Sequence, residues 1–259
     1  MTNDLILGID IGASGIKGAP VNVKTGEMLG ERFRLPTPKP SIPDAMAQTF
    51  AEVAQHFNWS ETVGCGFPAI VKNGVAYSAA NIHKDWIGTN ASELFQKYCN
   101  CDVYTGNDAD LAGMAEMAYG VGKGVTGTVL LITIGSGLGS ALFYNGQLVP
   151  NTEFGHFYLR GQSKVAERYA ADSVRKKKDL SWSEWGARFN EYLVMLERLF
   201  TPDLFILGGG SSKKFHQFSD QIKVNTPVTP ARLLNNAGII GAAVYAHKKK
   251  SMRITSKTF

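Results

Sequence analysis

Side chains able to do chemistry gather in a few short stretches. In TGNDADLAG (105–113), Asp108 stands where an apolar strand gives way to a helical pattern. That place suits a base, because the amino end of a helix stabilises a carboxylate and backbone amides fix its direction. Phosphoryl transfer needs such a base to accept the proton of the attacking hydroxyl while cations and amides steady the phosphates. Asn and Asp also cap helices, so residue type alone leaves Asn107 and Asp108 as either caps or a base with its neighbour. In NTEFGH (151–156), Glu153 and His156 lie three residues apart, and a carboxylate with an imidazole can together read adjacent donors and acceptors on a polar ligand.

Glycine clusters form a second group. GIDIGASG (8–15) and TIGSGLGS (133–140) each begin in an apolar strand, and LGGG (207–210) ends another. A P-loop or dinucleotide fingerprint would continue into a helix. Here IKGAPVNV follows the first cluster, and its proline and β-branched residues make it a strand. A glycine hairpin can still hold phosphate, since residues without Cβ let consecutive N–H groups point into one concavity. Taken singly, each turn reads first as a tight hairpin with glycine at positive φ and no ligand. Two such turns in matching places and a third cluster point to phosphate held at Gly12, Ala13, Ser14 and Gly15, at Gly135, Ser136 and Gly137, and at Gly208, Gly209 and Gly210. Asp10 beside these amides would hold Mg²⁺ or its waters, or else makes an Asx-turn bond. Lys17 and Lys84 are either contacts to a phosphate chain or solvated surface lysines.

The elements that must position these groups follow from pattern. Strands are expected at 5–11, 16–23 and 28–34, then a proline-rich connection, then a helix from Pro43 carrying Met46, Phe50, Val53, Ala54 and Phe57, with Ser41 or Asp44 as its cap. Further strands are expected at 62–67, in a hairpin around Asn73-Gly74, and at 101–108. The opening then repeats: strand 127–134, turn 135–139, strand 140–144, turn Asn145-Gly146, strand 147–149. Helical patterns cover 164–177, 183–200, 211–222 and 238–249, with one strand at 202–210. The economical reading is an internal duplication, two lobes each opened by a β-meander with a cleft between them.

With 259 residues and 44% hydrophobic content the chain can bury real cores. Three cysteines without paired spacing indicate neither a disulfide framework nor a zinc site, and five histidines without HxxxH spacing add no metal motif, so a reducing cytoplasm is expected. No stretch is apolar and long enough to span a membrane, and MTNDLILGID lacks a basic n-region. The net charge of +5 sits partly in VRKKKD (174–179) and HKKKS (247–251), runs that are either solvated helix faces or attractors of a polyanion.

GIDIGASGIKG, TGNDADLAG, TIGSGLGS, NTEFGH and PDLFILGGG occur in the order and spacing of the ROK family (repressors, open reading frames, sugar kinases) of the actin/hexokinase superfamily, and the resemblance spans essentially the whole chain. AANIHKDWIGTN and PNTEFGH resemble the branch of that family that phosphorylates glucose with inorganic polyphosphate and often also ATP. The resemblance implies a two-lobed α/β, actin-like/hexokinase (ribonuclease H-like) fold: an amino-terminal lobe over 1–106, joined by the final helix 238–249, and a carboxy-terminal lobe over 107–237. It implies Asp108 as base for the sugar 6-hydroxyl and Asn107, Glu153 and His156 as glucose ligands. It adds Asn81 and Glu167, the latter otherwise an exposed helix charge. Mg²⁺, polyphosphate or ATP as donor, and a homodimer belong to the same expectation; nucleic acid and membrane do not. VRKKKD and SSKKFH (211–216) fall on the expected donor side.

Departures from the family are few. Ala13 stands where glycine is usual and Ser136 where threonine is common, both small enough to keep the turns. FYLRGQSKVAER lacks the cysteines with which many members bind zinc, so structural zinc is expected to be absent. Trp86 and Ile87 are expected to pack rather than to touch ligand. Alternatives are an ATP-dependent glucokinase or mannokinase and a silent sugar-binding protein, which would lose the base that Asp108 supplies. A ROK repressor would need a helix-turn-helix ahead of the first glycine turn, which here begins at residue 8.

Overall fold

The computed structural model describes residues 4–255, which divide into two units. One takes the chain up to Ala115 and resumes at Asn236; the other is Glu116–Asn235.

In the first unit β1 (Leu5–Ile11) and β2 (Ile16–Asn22) pair antiparallel, with Asp10 opposite Lys17. Two short strands follow, β3 (Glu27–Met28) and β4 (Phe33–Leu35), both on β2, where the pattern predicts one strand over 28–34. Gly30 at φ +83° turns the chain between them. α1 (Pro43–His56) buries Met46, Ala47, Phe50, Ala51, Val53 and Ala54. Neither expected cap is used: Ile42 is the N-cap, Pro43 sets the first turn, and Ser41 instead accepts the His83 N–H and the Trp86 indole N–H.

β5 (Thr62–Phe67) is buried throughout, and β6 (Val71–Lys72) joins β7 (Val75–Ala76) through Asn73 and Gly74 at φ +51° and +82°, the geometry an Asn-Gly hairpin turn requires. α2 (Ala91–Cys99) has no counterpart in the sequence reading, although Asn90, which accepts the Glu93 N–H, is its capping signal. It is held by Phe95, stacked on Phe50 at 4.4 Å. β8 (Asp102–Asn107) runs straight into α3 (Asp108–Tyr119), within which the two units meet in sequence. The sheet order is β3–β2–β1–β5–β8, with β1, β5 and β8 parallel.

The second unit repeats this order. β9 (Thr128–Ile134) and β10 (Leu138–Tyr144) form the hairpin, β11 (Gln147–Val149) continues it through Asn145-Gly146, and β12 (Leu204–Gly208) and β13 (Val228–Pro230) extend it in parallel, giving β11–β10–β9–β12–β13. The helical pattern at 164–177 is broken into α4 (Glu167–Ala170) and α5 (Asp172–Lys177), because Ala171 is extended (φ −71°, ψ 155°). α6 (Trp182–Phe200) starts on a capping box of Ser181 and Glu184 and buries Trp185, Phe189, Tyr192, Leu193 and Leu196. The region 211–222, predicted helical, is instead two 3₁₀ segments, Gly210–Gln217 and Ser219–Gln221. α7 (Ala237–Thr255) returns to the first unit and packs on β1, β5 and β8.

Candidate active site

In the first unit several of the side chains singled out from the sequence collect at the carboxyl ends of parallel strands, where open α/β sheets place their ligands. Asp10 lies near the end of β1, Asn107 and Asp108 at the end of β8, and β5 runs between, with Gly66 opposite both Asp10 and Gly106. A side chain on Gly66 would come within 3.3 Å of Asp10 Oδ1 and 3.8 Å of Asp108 Cα, so its absence keeps the space between the Asp10 carboxylate and the start of α3 open. Asn107 is buried and caps α3: its Oδ1 accepts from the Ala109 and Asp110 amides at 3.0 Å each, and its Nδ2 donates to the Ala69 carbonyl at 3.1 Å. Asp108, half-buried on the first helical residue, accepts the Ala109 N–H at 2.8 Å through Oδ1. The cap and the residue expected to be the base are therefore adjacent, with Asn107 fixing the helix start on which Asp108 sits.

The first glycine turn closes through Gly12 N–H to Gly15 O at 2.9 Å. Thr37 donates to Gly12 O at 2.6 Å, and Arg34 braces the turn by donating to Ser14 O at 2.5 Å. Arg34 is a cation beside the exposed Ala13 and Ser14 that the sequence did not single out; its signal is its place on β4, paired to β2 next to Lys17. Lys17 Nζ sits 2.9 Å from Asp10 Oδ2. Asn81 and Lys84 are exposed on the stretch between β7 and α2; Trp86 is fully buried as expected, whereas Ile87, expected to pack, is 57% exposed, since the 3₁₀ turn ends on it and points it outward of the Trp86 core.

In the second unit Glu153, His156 and Glu167 come together. His156 Nδ1 is 3.4 Å from Glu153 Oε2, and its Nε2 is 3.9 Å from Glu167 Oε1. Ser140 on β10 pins the loop that carries them, donating to Thr152 O at 2.6 Å and accepting the Phe154 N–H at 3.0 Å. Gly137 lacks the side chain that would displace the Glu167 carboxylate, so cluster and second glycine turn are neighbours. Burial raises the Glu153 carboxyl above the usual carboxylate range, with His156 opposing and Glu167 adding to the shift. Burial, then the Glu153 and Glu167 charges, likewise push up the Tyr192 phenol beneath them.

A carboxyl whose proton is held more tightly when folded than when unfolded costs stability above its folded pKa, and that cost disappears as pH falls below the unfolded value. Glu153→Gln is therefore expected to raise the thermal midpoint of the ligand-free protein at pH 7 by about 1–2 °C, with the difference from wild type closing towards about pH 4. Differential scanning fluorimetry across that range checks it; a lower midpoint at pH 7 contradicts the strained carboxylate.

The second turn, Gly135–Gly137, meets the other glycine cluster inside this unit. Gly209, at φ +78°, lies against the backbone of Ile134, and Ser212 donates to Gly209 O at 2.8 Å. Ser173 donates its hydroxyl to Ser136 O at 2.7 Å and its amide to Gly135 O at 3.2 Å, tying α5 to the turn. Beside them opens a cavity of about 540 Å³, lined among others by Gly135, Ser136, Arg175, Lys176, Gly210 and Lys214. VRKKKD and SSKKFH thus contribute to one wall system next to two glycine clusters. Among the described residues no group of three or more His, Cys, Asp or Glu is arranged to hold a metal ion.

The family model described as ROK family matches residues 6–167. Polyphosphate glucokinase of Mycobacterium tuberculosis (strain CDC 1551 / Oshkosh) is 46% identical over 92% of this chain and 89% of its own length. The crystal structure of inorganic polyphosphate/ATP-glucomannokinase from Arthrobacter sp. strain KM superposes with a TM-score of 0.91 at 43% identity, covering 95% of this chain and 99% of that one. A ROK family glucokinase from Streptomyces griseus, solved with glucose and AMPPNP, superposes with a TM-score of 0.76 at 25% identity, covering 94% and 99%.

Proposed function

The chain belongs to the ROK family, and from that premise we propose that it phosphorylates the 6-hydroxyl of glucose with inorganic polyphosphate or ATP. What carries the reading is the 46% identity to a polyphosphate glucokinase along 92% of the chain, with Asp108 presented on a capped helix start.

Asp108 accepts the proton of the sugar hydroxyl as that oxygen attacks the donor's terminal phosphorus. Asn107 holds the helix start rigid, and the amide hydrogen left on its Nδ2 by the Ala69 contact is available to the sugar. Glu153, His156 and Glu167 read the remaining sugar hydroxyls as a paired donor–acceptor set. The amides of the two glycine turns receive phosphate oxygens. Asp10 is the carboxylate that would hold Mg²⁺, an ion bound by one or two carboxylates plus waters and substrate phosphates: Gly66 and Gly238 leave its carboxylate uncrowded by side chains, and the ion would share or displace the Lys17 contact at 2.9 Å on Oδ2. The ion would neutralise charge on the donor's phosphates.

His156→Ala is expected to raise the glucose KM about tenfold, the loss of one good polar contact, with a smaller change in the donor KM. A donor KM that rises while the glucose KM holds would move the cluster to the other substrate. The function itself is tested by a coupled assay of glucose, mannose and fructose against ATP and long-chain polyphosphate at low and high salt. Polyphosphate, held by several screened charges, should lose apparent affinity with salt more steeply than ATP. Activity with ATP alone would make the protein an ATP-dependent glucokinase.

A further inference from the structure

The cavity beside the second glycine turn holds a charge arrangement that the general reading leaves unused. Asp172, on α5 and 4% exposed, is one of its lining residues. It receives Arg175 Nε on Oδ1 at 2.6 Å and Lys176 Nζ on Oδ2 at 2.8 Å. Burial pushes the Asp172 carboxyl up, yet the two cations outweigh it and hold the carboxyl below the usual carboxylate range. One anion against two cations leaves the wall positive, and Lys214 adds a third cation to the lining. The Arg175 guanidinium also lies 4.0 Å above the ring centroid of Trp182, which Trp185 and Phe218 hold at 5.6 and 5.9 Å.

Trp182 is the only aromatic residue among those lining this cavity. A nucleobase entering such a space gains most by stacking on an aromatic face, and that face is covered. Phosphate groups gain most from N–H donors in a planar fork. The Asp172 contact engages Nε of Arg175, while its two terminal NH₂ groups carry the other four N–H donors.

We propose that Arg175, fixed over Trp182 by Asp172, selects the class of phosphoryl donor: it closes the indole face to a base and offers its terminal N–H groups, with Lys176 and Lys214, to successive phosphates of a polyphosphate chain. This rests on the proposed function. Asp172 is a positioning residue in it, since it sets the orientation of Arg175 without touching the donor.

The test is initial-rate kinetics of glucose phosphorylation with long-chain polyphosphate and with ATP for the full chain and four variants. Arg175→Ala is expected to lower the polyphosphate-to-ATP ratio of kcat/KM about tenfold or more, the effect of one lost charge-assisted contact. Arg175→Lys, which keeps a cation but not the planar cover, should lower that ratio less and should lower the ATP KM. Lys176→Ala removes an exposed side chain and leaves Asp172 paired with Arg175 at 2.6 Å, and should lower the ratio about threefold. Lys177→Ala removes the same charge next door but off the cavity lining, and should change the ratio by less than about twofold. Equal losses with both donors in Arg175→Ala, or an effect of Lys177→Ala as large as that of Lys176→Ala, would overturn the assignment while leaving the kinase reading intact. A wild-type protein that phosphorylates glucose with ATP but not with polyphosphate would overturn the polyphosphate half of that reading and the donor selection with it. Should Arg175→Ala not fold, Lys176→Ala against Lys177→Ala decides alone.

Discussion

Asp108→Asn is expected to lower kcat for glucose phosphorylation about 10²-fold or more, with either donor, while the glucose dissociation constant changes only a few-fold. The substitution conserves shape, and an amide oxygen can accept the Ala109 N–H that Asp108 Oδ1 accepts now at 2.8 Å. Helix initiation does not depend on it, because Asn107 supplies the cap to both Ala109 and Asp110. What disappears is the capacity to take a proton from the attacking hydroxyl. Rapid-quench or steady-state kinetics, with glucose binding measured by calorimetry, separates the two roles. If Asp108 merely helped to start α3, kcat would stay near wild type and the thermal midpoint would fall.

How much of this was legible in the sequence depends on how local each signal is. The two hairpins and their Asn-Gly turns were readable to within a residue or two, because alternating apolar residues and positive-φ turn chemistry act over five to ten positions. The region 211–222 misled: its apolar spacing suits an α-helix, but Ser212 bonds back to the Gly209 carbonyl and Lys214 leaves helical geometry (φ −104°, ψ 16°), so the chain tightens into 3₁₀ turns. The helix at 164–177 failed at Ala171 for a tertiary reason. Its carbonyl and that of Ala170 face the buried Trp185 indole N–H at 3.3 and 2.9 Å, a partner on α6 that no local pattern announces.

The candidate site divides the same way. Asp108, Glu153 and His156 stood out because their motifs are short. Arg175 appeared only as one basic residue in a charged run, and its relation to Trp182 exists because α5 and α6 are separate helices. From the sequence Glu167 reads as either a sugar ligand or an exposed helix charge. The structure sets its carboxylate 3.9 Å from His156 and against Gly137, a neighbourhood shared with the other two proposed ligands.

Gly241→Ala sets a local propensity against a tertiary contact, and the two predict opposite signs. Gly241 lies in the interior of α7, where alanine is favoured over glycine by about 1 kcal/mol. A Cβ there, however, would be driven into the backbone carbonyl of Leu111 in α3, where no flexible side chain can give way. The helix cannot retreat easily, since on the sheet side Gly8 and Gly64 bring the strands against the backbone of Ile239 and Ala242 in the same manner. Overpacking of this kind costs about 1–3 kcal/mol when side chains can adjust, and more against backbone. The net expectation is destabilisation by about 2 kcal/mol, a fall in thermal midpoint of about 4–8 °C for a chain of this size. Displacement of α3 one turn beyond Asp108 should also lower kcat below that midpoint, whereas Gly30→Ala, at a site open to solvent, should destabilise without touching kcat. A midpoint that rises in Gly241→Ala would show that α7 is free to shift, and that the glycine approaches do not hold it against the strands ending at Asp10 and Asn107.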